Sequence, residues 1–144
     1  MLMVIFDPLQ ERSSMSSPPR HPIIPSFVSI ASSNLMRALH ARGVMLFGSR
    51  ARADEAGKDD DWDVVAVLRN FSPLPQQARL DEIVANDIIH ARSISQDELF
   101  EQSTNDDHIA SSMARDGLLI RGHVTLPAAA LPANVIRELT RRQS

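Results

Sequence analysis

The chain has 144 residues, enough for one domain and not comfortably for two. Its hydrophobic share of 43% and charged share of 23% are ordinary for a globular protein, and a net charge of −3 argues against strong non-specific nucleic-acid binding. There is no cysteine, which excludes disulfides, zinc–thiolate sites and thiol catalysis, and nothing is long and apolar enough to cross a membrane. Residues 1–6 are apolar but too short for a signal peptide, and a cytoplasmic domain is expected. Residues 1–25 form a leader, Ser/Pro-rich from about residue 11 and expected to be flexible. From Ser26, which can cap, Phe27, Ile30, Ala31, Leu35 and Leu39 recur at helical spacing. Gly43 then fits the left-handed end of that helix. A first strand follows at about Val44 to Phe47, and after it a short helix to about Ala53. A second strand runs from about Trp62 to Leu68 and is apolar on both faces, as a strand covered on both sides should be. Pro73 and Pro75 precede a helix with Ala78, Leu80, Ile83 and Val84 on its apolar side. Residues 87–94 read as a third strand, with Ile88, His90, Arg92 and Ile94 on one face. Ser95 and Glu98 make a capping box for the next helix. A further helix holds Ile109, Met113 and Ala114 and ends at Gly117, before a short strand at Leu118 to Ile120. Residues 123–144 form a C-terminal extension with a possible helix at Asn134 to Arg142. The expected folded unit is therefore 26–122.

The chemistry concentrates between Leu46 and Val65. Met45, Leu46 and Phe47 end at Gly48, where the absence of a Cβ permits a sharp turn and close approach to a ligand. Ser49 stands where a helix would begin, and exposed N–H groups there attract phosphate. Arg50 is a candidate phosphate contact, since a guanidinium matches phosphate oxygens bidentately. Asp61 and Asp63 head the Val64 to Leu68 run, two residues apart. Strand alternation points both carboxylates the same way, with Trp62 opposite and their Cα atoms roughly 6–7 Å apart. That spacing suits shared divalent cations. Each feature also has a plainer reading: an ordinary turn at Gly48, an acidic solvated loop at 59–63, and Arg50 and Arg52 pairing with nearby acids. A calcium loop of the EF-hand kind fits poorly, because its sixth position would be Val64 and its twelfth Asn70. His21, His40, His108 and His123 show no ligand spacing and are expected at the surface.

Gly48-Ser49, a spacer of eleven residues, and Asp61-x-Asp63 followed by Val64-Val65 resemble the signature of the polymerase-beta-like nucleotidyltransferases, most of all the minimal antitoxin-type domains. Leu46-Phe47 and Arg50-Ala51-Arg52 match as well, and the likeness spans about residues 27–121. The spacer is one residue longer than usual in that family, and Ala53 stands where a second Gly is frequent. The resemblance implies an α/β (α+β) fold, a small mixed β-sheet flanked by helices. It implies transfer of a nucleoside monophosphate, AMP from ATP foremost, to an acceptor hydroxyl with two-metal-type magnesium catalysis. Asp61 and Asp63 would be metal ligands, and Gly48, Ser49 and Arg50 would hold the nucleotide's phosphates. The family's third carboxylate is not evident. Aligning the capping box puts His90 at its position, as a base or a nitrogen ligand, with Asp87 the nearest acid. A catalytically degenerate nucleotide- or protein-binding module is the alternative. Small size implies a partner-supplied acceptor, such as a helical HEPN-type toxin. Acceptor and base preference stay open.

Overall fold

A computed structural model describes residues 3–6, 23–51 and 61–130. Among these are four α-helices, a four-stranded mixed sheet and a two-stranded pair, so the expected α+β class holds. The strands are β1 (Met3–Phe6), β2 (Gly43–Phe47), β3 (Trp62–Leu68), β4 (Ile89–Ser95), β5 (Leu118–Gly122) and β6 (Val124–Pro127). The helices are α1 (Ser26–Leu39), α2 (Gln77–Val84), α3 (Gln96–Gln102) and α4 (Ile109–Asp116). The main sheet has the order β4-β3-β2-β5. β2 is antiparallel to both β3 and β5, whereas β3 and β4 are parallel. A parallel pair needs a crossover rather than a hairpin, and α2 lies within that connection. No helix among the described residues is long and apolar enough to cross a membrane.

Alternation along the two central strands builds a core on each face of the sheet. Val44, Leu46, Val64 and Ala91 pack against Val28, Ala31 and Leu35 of α1 and Leu80 and Val84 of α2. Met45, Phe47, Val65, Val67 and Ile94 pack against Leu99 of α3, Met113 of α4, and Val124 and Leu126 of β6. Because β2 and β3 are covered on both sides, they are almost continuously apolar.

Several expected boundaries move. The buried stripe of α1 is Val28, Ala31 and Leu35, with Ser32 also buried and donating to the Val28 carbonyl at 2.8 Å. Ile30, expected inside, is 61% exposed, because the true stripe is offset by a fraction of a turn. Ser26 does not cap: Pro25 is the N-cap residue and no side-chain cap bond forms. Gly43 does not end the helix either. His40 takes the left-handed position (φ 48°), and its N–H donates to the Met36 carbonyl. Gly43 instead opens β2, where a Cβ would sit 3.0 Å from the Arg121 carbonyl oxygen and 3.1 Å from that of His123. The third strand of the sequence reading starts at Ile89, so Ile88 lies in the preceding turn and not on the His90 face.

Past residue 122 the chain keeps contributing to the core. Val124 and Leu126 are buried, and β6 pairs antiparallel with β1. The Gln96 side chain joins this strand to α3, donating to the Thr125 carbonyl at 2.7 Å and accepting from its N–H at 2.9 Å. The packed unit thus takes in β1 and β6 beside the expected 26–122. The possible helix at 134–142 and most of the leader lie outside the described residues.

The capping box forms in part: Ser95 Oγ accepts from the Glu98 N–H at 3.1 Å. Ser95→Ala should lower stability by about 1 kcal/mol. Urea denaturation followed by circular dichroism measures it, and an unchanged midpoint would mean that α3 is held by Leu99 and Gln96 alone.

Candidate active site

The site lies where β2 ends and β3 and β4 begin. The pairing puts Phe47, Asp63 and His90 in one row across the three strands. Alternation sends this row to the α3/α4 side, while Trp62 turns to the α1/α2 side. Asp61 immediately precedes β3, whose first N–H, on Trp62, donates to the Ile88 carbonyl at 2.8 Å.

Gly48 ends β2 with φ 74°, a left-handed value that glycine accepts without strain. It is also the floor on which Asp63 rests. A Cβ on Gly48 would meet Asp63 Oδ2 at 2.6 Å, so the carboxylate occupies the space a side chain would fill. Of the short helix expected to reach about Ala53, the described residues show a 3₁₀ turn, Ser49–Ala51, with the Ala51 N–H donating to the Gly48 carbonyl at 3.1 Å; residues 52 and 53 lie outside them. Among the described residues the Ser49 hydroxyl makes no hydrogen bond, so it stands available to a ligand.

His90 comes to the carboxylates. Its Nε2 is 3.1 Å from Asp61 Oδ2, and the two side chains are 59% and 43% exposed. Asp87, the other residue considered for this position, sits before β4 in an exposed turn in which the Asn86 side chain accepts from the Ile88 N–H at 3.0 Å. The parallel register, and not sequence distance, brings His90 beside Asp61 and Asp63.

Arg50 holds a different position from the carboxylates. Its guanidinium carbon lies 4.7 Å from the centre of the Trp62 ring. Phe27 meets that ring edge-on, with centroids 6.2 Å apart and planes at 89°. Trp62 is buried and also serves as a platform that orients Arg50. The clue in the sequence was a tryptophan between the two aspartates, close to a basic turn. Arg52, Ala53 and the acidic stretch 54–60 lie outside the described residues. His108, expected at the surface, is half-buried and structural. Its Nδ1 accepts from the Ala110 N–H at 3.0 Å at the start of α4, and its Nε2 lies 3.2 Å from Glu98 Oε1.

The donor set fits one magnesium ion in part. Magnesium takes oxygen, commonly one or two carboxylates together with substrate phosphates. Asp61 and Asp63 are such carboxylates, two residues apart at one end of the sheet. Among the described residues no three histidine, cysteine, aspartate or glutamate side chains converge as a metal cluster. A second magnesium would have to rely on an imidazole, which it does not favour.

No protein-family model and no curated protein matches the chain. Among solved structures, that of a Sulfolobus solfataricus protein, assigned by inference as a nucleotidyltransferase, is similar over 65% of this chain and 76% of that one. The TM-score is 0.47 and the sequence identity 14%.

Proposed function

We propose that this chain is a nucleotidyltransferase domain that transfers a nucleoside monophosphate, AMP from ATP, to an acceptor hydroxyl. One observation carries the reading: the Gly48-Ser49 turn and the Asp61-x-Asp63 pair, ten and more residues apart in sequence, meet at one end of the sheet, with Asp63 seated on Gly48. A phosphate-binding turn against two carboxylates is what this reaction needs.

In this reading the backbone N–H groups of the Gly48-Ser49 turn hold the β,γ-phosphates, and the Ser49 hydroxyl donates to them. Arg50, steadied on Trp62, adds a positive charge at the turn. Asp61 and Asp63 would hold magnesium. When bound, that ion neutralises charge on the transferring group and on the departing pyrophosphate. The acceptor oxygen attacks the α-phosphorus, its bond to the bridging oxygen of pyrophosphate breaks, and the hydroxyl proton leaves to a base or to water. The acceptor belongs to a separate protein, and a helical HEPN-type toxin neutralised by AMP transfer is the partner that fits the antitoxin-type resemblance.

A second reading draws on His90, because among the described residues no third carboxylate joins Asp61 and Asp63. It is a nucleotide-binding module of the same architecture without catalysis. Incubating the full chain with α-labelled ATP, magnesium and host lysate separates the two. Transfer predicts a labelled macromolecule and released pyrophosphate. Bound ATP with no labelled product would leave the binding module, and no ATP binding would remove the phosphate reading of Gly48 and Ser49 too.

A further inference from the structure

Arg92 is a cation without a partner. Among the described residues its exposed side chain makes no hydrogen bond, ion pair or ring contact. It lies on the same side of the sheet as His90, two residues and so roughly 6–7 Å along β4, and its cross-strand neighbour is Val65 of the α3/α4 core. Two clefts meet at it. The larger, about 340 Å³, is lined by Gln77, Asp81, His90, Ala91 and Arg92, and so continues from the candidate site. The smaller, about 160 Å³, runs towards α3 and α4 over Val65, Ile94 and Met113. The acids of both clefts are engaged elsewhere: Asp81 accepts from the Gln77 amide at 2.9 Å, and Glu98 Oε1 lies 3.2 Å from His108 Nε2.

Strand order decides what this cation faces. The phosphate turn ends β2, the two aspartates head β3, and β4 follows at the sheet edge. Attacking and leaving oxygens lie in line on opposite sides of the α-phosphorus. With pyrophosphate leaving over the β2 turn and the phosphorus over β3, the acceptor arrives over β4. Among the described residues no strand lies beyond β4, and its Ala91 carbonyl accepts from the Gln77 side chain at 2.8 Å. An extended segment fits such an edge, and residues two apart within it repeat the spacing of His90 and Arg92. We propose that β4 seats an extended acidic segment of the acceptor protein, with its hydroxyl at His90 and a carboxylate two residues away on Arg92. This rests on the transfer reading of the site. Arg92 is then a positioning residue that selects the acceptor by pairing with its carboxylate, and it touches neither ATP nor the reacting atoms. A nucleic acid suits this seat less. Its affinity is built from several phosphate contacts, and here one guanidinium shares the cleft with Asp81 in a chain of net charge −3.

The test uses the full chain and short fluorescent peptides carrying one tyrosine and, two positions on, Asp, Asn or Lys. Fluorescence anisotropy gives their dissociation constants in the absence of ATP. The unmutated chain should bind the Asp peptide about ten-fold more tightly than the Lys peptide, with the Asn peptide between them. Arg92→Gln should bring all three peptides within about two-fold, and Arg92→Glu should reverse their order. ATP affinity should be the same in all three proteins. Arg92 is exposed and unpartnered among the described residues, so both variants should fold. An Asp preference that survives Arg92→Glu, no preference in the unmutated chain, or no peptide binding would overturn the proposal. So would a loss of ATP affinity in Arg92→Gln, which would put the guanidinium on the nucleotide. An oligonucleotide that binds more tightly than the Asp peptide, and is released by Arg92→Gln, would overturn it in favour of a nucleic-acid acceptor. Transfer to a lysate protein without any charge preference among the peptides would overturn this proposal and leave the function standing. The charge preference without transfer would overturn the transfer reading and, with it, the acceptor role of Arg92.

Discussion

Asp61→Ala/Asp63→Ala should transfer AMP at less than about one-thousandth of the unmutated rate. In the proposed reaction a bound ion would lower the barrier by several kcal/mol, and about 4 kcal/mol corresponds to a factor of about 10³. The loss should belong to chemistry and not to folding. Asp61 lies outside β3, and its contact with His90 is between partly exposed side chains, a kind of pair worth at most about 1 kcal/mol. Asp63 is half-buried at the start of β3, directly before the continuously buried run Val64 to Leu68. Thermal unfolding by circular dichroism should accordingly shift by only a few degrees, with labelled-ATP transfer measured on the same preparation. If the double variant keeps its fold and still transfers label, the catalytic centre is not at this end of the sheet. If instead the fold is lost, Asp61→Ala alone decides the question, because that side chain carries little of the packing.

Gly48→Ala is the second large effect, and it tests the seat of Asp63. Two costs combine. A left-handed residue other than glycine costs about 1–2 kcal/mol, and the Gly48 φ is 74°. The new methyl group would also fall 2.6 Å from Asp63 Oδ2, so the carboxylate must swing away. Displacing a reacting group by about 1 Å can cost a factor of about 10² in rate. Transfer should therefore drop by about that factor, while stability falls by about 1–2 kcal/mol. A double-mutant cycle separates the parts. In an Asp63→Ala background the clash is gone, so Gly48→Ala should cost only its backbone strain. Equal stability costs in the two backgrounds would show that Asp63 and Gly48 are not coupled.

Local rules carried the reading of the elements a long way. The apolar runs of β2 and β3, the α3 cap at Ser95 and the end of α4 at Gly117 each depend on residues within a few positions of one another. Reading failed where two local signals competed or where the partner was distant. Gly43 looked like a helix end, but His40 accepted the left-handed conformation three residues earlier, and the glycine was needed for the close approach of residues 121–124. His108 looked like a surface residue, yet one of its nitrogens caps α4 and the other reaches Glu98 on α3. The strand pair of β1 and β6 joins segments more than a hundred residues apart, and no short window contains it.

The candidate site divides along the same line. Sequence by itself determined the sharp turn at Gly48 and the side of the sheet on which Trp62 lies. Those follow from glycine's freedom at positive φ and from the two-residue period of a strand. Only the tertiary structure decided that His90, and not Asp87, stands beside Asp61, that Asp63 rests on Gly48, and that Arg50 lies over Trp62. Each of these depends on register between elements. A one-residue slip between β3 and β4 would turn His90 to the other face, and the register is held by apolar burial on both sides of the sheet rather than by any residue in the site itself.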